Sequence, residues 1–305
     1  MGVTEWWRRI TGKEGSAAPK RPTTTTSTGA GRRGAAPATK AGPTKAGPAK
    51  SGPKQATPRK STAVSKPTGR PGRRTAPDPA LPVMGVDTCR TGWVGAVLDP
   101  SGHGTPHLFV KPTIAELVAE AGPLAVVAVP VPIGLPDESR READRQARTF
   151  LGPAGAAVVP TPVRDAVYAA TFGEANQVNR AKIGAGVAQQ AYALRPRIVE
   201  VDAWLRQDLP FTVVEVSPEV SFAEMAGAPL GSRRRSHAGT EERRTVLADH
   251  GVVVPGALPV GVATDDVVDA CAAAWTAHRV KTGQARSLPE QPETFSDGIP
   301  AAIHV

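Results

Sequence analysis

Apolar residues first fall into a regular pattern at Pro82. There Val83-Met-Gly-Val-Asp87 runs into a Thr-Cys-Arg-Thr turn and then into a second apolar run, Gly92-Trp-Val-Gly-Ala-Val-Leu98. This reads as a hairpin of strands at 83–87 and 92–98, with a third strand at 106–110. Ile114 to Ala121 has the look of a short helix. Leu124-Ala-Val-Val-Ala-Val129 is apolar without alternation, the pattern of a strand buried on both faces. The charged stretch 137–151 reads as helix, with Glu138–Arg141, Glu142–Arg145 and Asp144–Arg148 at facing spacings. Helix continues across 163–207, with interruptions expected near Gly184–Gly186 and at Pro196. Phe211-Thr-Val-Val-Glu215-Val reads as another strand. A helix over 240–250 starts from Thr240 as N-cap, and a last one spans about 265–281 with Thr264 as N-cap. This order is α/β. The early hairpin argues against a purely parallel sheet and for a mixed five-stranded sheet flanked by helices, its first three strands antiparallel.

Residues 1–80 lack any such pattern. Lys40-Ala-Gly-Pro, Lys45-Ala-Gly-Pro and Lys50-Ser-Gly-Pro form a spaced repeat within Pro-, Ala-, Thr- and Lys-rich sequence. A segment with so little to bury does not repay the entropy of ordering, so 1–80 is expected to be a disordered basic arm. The single globular domain is then 82–305, with a helical insertion. Trp6, Trp7 and Ile10 beside Arg8, Arg9 and Lys13 form at most an amphipathic turn or two, either a contact element for a membrane, partner or base, or a frayed terminus.

Charge sharpens this division. Residues 1–80 hold 17 Lys+Arg against 3 Asp+Glu, whereas the rest holds 20 against 25, so the overall +9 combines a basic arm with a mildly acidic body. Two readings of the arm stand side by side: a sequence-independent grip on nucleic-acid phosphates through counterion release, and a solvated linker. The two cysteines, Cys89 and Cys271, are too few for a disulfide framework and lack metal-ligand spacing. With no secretory leader and no stretch long enough to span a bilayer, the sequence predicts a cytoplasmic protein with no transmembrane segment, and a phosphate-gripping arm would make it nucleoid-associated.

Candidate chemistry lies in carboxylates. Asp87 stands at the mouth of a buried strand, where a carboxylate is costly unless something positive holds it. Asp266 and Asp269 are three apart at the start of the last helix and share its face. They serve either as dipole caps or as oxygen ligands for a hard divalent cation. Ala270, Ala272, Ala273 and Ala274 would let that helix lie close to a sheet, bringing Asp269 near Asp87. Glu215 ends an apolar strand, and Glu219 follows a helix-opening proline. Arg233-Arg234-Arg235 lead into a helix and suit phosphate contacts, though a solvated charge run has the same appearance. Neither cysteine has an evident base in sequence.

The body resembles the family called domain of unknown function 429, whose members are described as predicted RNase H-like nucleases. The matching stretches are Gly85-Val-Asp87-Thr-Cys-Arg90-Thr-Gly92-Trp93, Pro132-Ile-Gly-Leu-Pro136, Glu215-Val-Ser-Pro-Glu219-Val-Ser-Phe222 and Asp265-Asp266-Val-Val-Asp269-Ala with Ala-Ala-Trp275-Thr-Ala. The resemblance implies an RNase H-like mixed sheet with the first metal aspartate at Asp87 and the last at Asp269. The implied activity is metal-dependent cleavage of DNA or RNA phosphodiesters, with Mg²⁺ or Mn²⁺ as cofactor. Asp87, Asp266 and Asp269 would hold metal, Asp87, Glu215 and Asp269 would be catalytic, and Arg233, Arg234 and Arg235 would bind nucleic acid. The chain departs from the pattern in one place: an aspartate is common just before the Pro-Ile-Gly-Leu-Pro segment, and here that position is Pro130. The alternative expectation is therefore a catalytically degenerate nucleic-acid-binding protein of the same fold.

Overall fold

The structure is a computed structural model that describes residues 76–305. The predicted arm lies outside the described residues except for its last five positions. The strands β1 (Val83–Cys89), β2 (Gly92–Leu98), β3 (His107–Lys111), β4 (Val126–Val129), β5 (Thr212–Val216), β6 (Ser287–Thr294) and β7 (Pro300–His304) form one sheet in the order β3-β2-β1-β4-β5-β7-β6. β1, β2 and β3 pair antiparallel, and β4, β5 and β7 continue parallel to β1. The expected mixed sheet is thus present as β3-β2-β1-β4-β5. It is seven strands rather than five, because β6 and β7 close its far side. Ser287-Leu-Pro-Glu-Gln-Pro-Glu-Thr carries one large apolar residue and two prolines, so no strand pattern marks it. Proline is tolerated there because β6 is an edge.

The helices among the described residues are α1 (Ile114–Ala121), α2 (Glu142–Phe150), α3 (Arg164–Tyr168), α4 (Phe172–Ile183), α5 (Gln189–Trp204), α6 (Pro218–Ala226), α7 (His237–Asp249) and α8 (Thr264–Lys281), with a 3-10 helix at Gly152–Ala157 after α2. Side chains alternate across the sheet. On β1, Met84 and Val86 join Leu117, Ile198 and Trp204 under α1 and α5. Val83 and Cys89 join Val267, Ala270 and Ala274 under α8. Asp87 shares the parity of Val83 and Cys89, so its strand position assigns it to the α8 face.

That face is packed backbone to backbone. A Cβ at Gly85 would fall 2.0 Å from the Ala274 nitrogen and 2.3 Å from the Ala270 oxygen. The alanine run of α8 and the glycine of β1 are therefore one feature, and they bring Asp87 and Asp269 together. On the other face Trp93 donates from Nε1 to both Glu200 oxygens at 3.0 and 3.1 Å, and Glu200 also accepts the Ile114 amide at 2.7 Å. This ties β2 and α1 to α5.

Several boundaries differ from expectation. Pro196 lies inside α5 instead of breaking it. The helix forgoes one backbone hydrogen bond there while Ile198, Val201 and Trp204 bury its following turns in the core. The break falls instead at 169–171, where Thr171 and Glu174 cap α4 reciprocally. Helix α7 starts three residues before Thr240, and its cap is Ser236, whose Oγ accepts the Gly239 amide at 3.0 Å. Helix α8 includes Thr264, and its N-cap is Ala263.

Candidate functional site

The carboxyl ends of the parallel strands open on one side of the sheet, the usual place for a ligand crevice in open α/β sheets. A cavity of about 170 Å³ lies there. Its walls include Asp87 from β1, Pro130 just past β4, Glu215 from β5, Glu219 from α6 and Asp269 from α8. Three predicted catalytic residues, Asp87, Glu215 and Asp269, therefore line one cavity. Asp266 does not line it. Its Oδ2 accepts the Ala263 amide at 3.4 Å and caps α8, the helix-capping alternative for this residue.

Each carboxylate is matched to an arginine. Arg234 Nη2 contacts Asp269 Oδ2, lies 3.8 Å from Asp87 Oδ2, and its Nε is 3.9 Å from Glu219 Oε1. Arg243 Nη2 donates to both oxygens of Glu219 at 3.0 and 2.8 Å. Arg235 pairs with Asp265 at 3.7 Å. Of the three arginines predicted to meet nucleic acid, two thus turn to carboxylates, and Arg233 is the exposed one.

Glu215 is bound more deeply. Arg141 donates from Nη2 to Glu215 Oε2 at 2.6 Å, and the Ile133 amide donates to the same oxygen at 2.7 Å. Arg141 also donates from Nη1 to Thr161 Oγ1 at 3.1 Å and lies 3.7 Å from Asp144. Burial pushes the Glu215 carboxyl up to about 7, and Arg141 opposes that rise without cancelling it. Burial also works against the charge on Arg141, but Glu215 and Asp144 outweigh it and hold the guanidinium cationic.

Sequence reasoning missed Arg141 in this role. The charged stretch 137–151 reads as helix, with Arg141 at a facing spacing to Glu138. Arg141 is instead the residue before α2 and points inward with 1 % exposure. A second buried network was equally hidden. Arg164 meets Asp202 at 2.8 Å and Asp297 at 3.2 Å, and Asp297 accepts the Leu135 amide at 2.8 Å. It anchors the Pro132–Pro136 segment that forms part of the cavity rim. These partners lie tens to more than a hundred positions apart, so no local spacing announces them.

Cys271 is buried, and burial pushes its thiol up to about 12. Cys89 is buried, its Sγ 3.6 Å from Thr91 Oγ1.

A resident Mg²⁺ or Mn²⁺ does not fit this arrangement. Among the described residues no three His, Cys, Asp or Glu side chains are placed to hold a metal ion. The position a cation would take against Asp87 and Asp269 is filled by the Arg234 guanidinium. Pro130, just past the central strand, adds no carboxylate to the cavity wall. No helix among the described residues is long and apolar enough to cross a membrane.

Fold and site together define an α/β domain with an acid-lined, arginine-filled crevice at the carboxyl ends of its parallel strands. The profile of the family described as "Protein of unknown function (DUF429)" matches residues 85–294, and the chain belongs to that family. No curated protein and no solved structure matches the chain.

Proposed function

We propose that the chain is an RNase H-like nucleic-acid-binding protein whose crevice is catalytically silent. The observation that carries this reading is Arg234, whose guanidinium sits between Asp269 and Asp87 where a nuclease would need a metal. Pro130 supports it by removing the central-strand carboxylate. The strand order β3-β2-β1-β4-β5, with its first three strands antiparallel, is the order this fold would require. Affinity for nucleic acid would reside in the basic arm. The body, with 20 Lys+Arg against 25 Asp+Glu, repels a polyanion on balance, whereas residues 1–80 carry 17 Lys+Arg and release counterions on contact with phosphates. The body would then hold orientation or partner choice, and the arm would hold the strand.

A second reading, a metal-dependent nuclease, has one observation in its favour: Asp87, Glu215 and Asp269 all line the same cavity. One experiment separates the two. The full chain and its Asp87→Asn variant are incubated with labelled single-strand, duplex, hybrid and junction substrates in Mg²⁺ or Mn²⁺. The silent reading expects no cleavage by either protein, and binding whose salt dependence flattens when residues 1–80 are deleted. Cleavage by the natural chain that disappears in Asp87→Asn would establish the nuclease instead. Binding with an unchanged salt slope after the deletion would reduce the arm to a linker.

A further inference from the structure

A second cavity, of about 300 Å³, lies between α2, the Pro160–Pro162 segment and the 184–188 loop that joins α4 to α5. Its character is opposite to that of the acid-lined crevice. Arg140, Arg141, Arg145 and Arg148 line it, against Glu142 and Asp144. Those two acids are already engaged: Glu142 accepts from Arg145 Nε at 2.7 Å, and Asp144 Oδ2 accepts the Thr161 amide at 2.6 Å. Arg140 and Arg148 have no carboxylate partner among the described residues. Arg148 is oriented by donating from Nη1 to the Val158 carbonyl at 2.6 Å. Arg141 is 1 % exposed and committed to Glu215 and Thr161, so it adds positive charge behind the wall and no direct contact. The remaining wall is apolar, formed by Pro162, Ile183 and Val187. Asn179 fixes that wall, accepting the Val163 amide and donating to the Ala185 carbonyl, both at 2.9 Å.

We propose that this cavity binds a small organic anion, with a phosphate or carboxylate head on a ring-sized apolar body. The planar forks of several arginines recognise such a head, and the cavity lies at the small end of the range for small-molecule sites. The head would sit toward Arg140 and Arg148, and the body against Pro162, Ile183 and Val187. This assignment does not depend on the nucleic-acid reading, which concerns a different cavity and the arm.

Isothermal titration calorimetry of the full chain tests it with three probes: phenyl phosphate, benzoate and uncharged phenol. The two anions separate a phosphate from a carboxylate preference, and phenol measures the apolar wall alone. The variants are Arg140→Gln and Ala188→Glu. Both positions are exposed, so folding should survive, and a glutamate at the N-cap of α5 meets the favourable end of the helix dipole. Saturable binding of at least one anion, about tenfold tighter than phenol and weakened about fivefold or more by each variant, is the expected result. Absence of saturable anion binding up to millimolar concentration, or equal affinity in the natural chain and both variants, would overturn the proposal. Nucleic-acid binding by the two variants should be unchanged.

Discussion

Arg234 reaches across from the loop before α7 to Asp269 on α8, and the same guanidinium nitrogen stands 3.8 Å from Asp87 on β1. One arginine thereby neutralises acids from two separate elements. Replacing it with an uncharged residue leaves two neighbouring carboxylates with less positive charge to answer them. The Arg234→Gln variant should therefore acquire affinity for a hard divalent cation. Its thermal midpoint should rise by several degrees in millimolar Mn²⁺, while that of the natural chain stays flat. A midpoint insensitive to Mn²⁺ in both would show that the carboxylates are too far apart for an ion.

Restoring an acid at the central strand should act in the same direction. Pro130→Asp adds a carboxylate to a cavity already walled by Asp87, Glu215, Glu219 and Asp269. Without divalent ions the added like charge should lower stability by about 1–2 kcal/mol. Combined with Arg234→Gln, it should tighten Mn²⁺ binding beyond the single variant, read by the quenching of the free-ion electron paramagnetic resonance signal. Equal binding by the single and double variants would place residue 130 outside reach of the ion.

Glu215 supplies a pH signature. Its carboxyl takes up a proton near 7 in the folded chain and near the ordinary 4.5 when unfolded. Between these values the folded state holds more protons than the unfolded state, so this group's contribution to stability falls as pH rises through the window. At about 1.36 kcal/mol per unit, the loss amounts to roughly 3 kcal/mol by pH 8. Urea denaturation at pH 5 and pH 8 should show it, and Glu215→Gln should flatten that slope even though the variant is less stable overall. A slope identical in both proteins would assign the pH dependence elsewhere.

Arg141→Met removes one partner of a buried pair and leaves the Glu215 carboxylate without its guanidinium. A loss of about 3–5 kcal/mol is expected from equilibrium denaturation near pH 8. At pH 5, where Glu215 is largely protonated, the loss should shrink. A loss independent of pH would mean that Arg141 matters through packing alone.

Gly85→Ala tests the closest contact in the core. A methyl group there meets backbone atoms of Ala274 and Ala270 that have no rotamer by which to yield. Destabilisation of about 3 kcal/mol or more is expected, seen as a lower denaturation midpoint. A neutral substitution would require α8 to shift off the strand.

The sheet was legible because its signals are local. Apolar runs at 83–87, 92–98 and 124–129 announce β1, β2 and β4, and the alanine stripe of α8 announces close packing. Asp87, Glu215 and Asp269 were legible for the same reason, as acids set at the ends of apolar elements. What answers their charge was not. Arg141 and Arg234 sit in charged stretches that have the composition of surface, and only the folded chain turns them inward. Strands β6 and β7 leave no pattern in the sequence, because an edge strand with two prolines and a short Pro-Ala-Ala-Ile-His strand lack alternation.

The contact between Gly85 and α8 gives the crevice two unlike jaws. Asp87 and Asp269 are mounted on a strand and a helix whose main chains touch, so that jaw does not move without disturbing the core. Arg234 hangs from the segment between Gly227 and Ser236, where the chain carries no regular element. The acids of the crevice thus stand on fixed elements, and the Arg234 guanidinium that answers them stands on a loop. A substitution at Arg234 would change the charge set against Asp87 and Asp269 without touching the strand–helix contact that carries them.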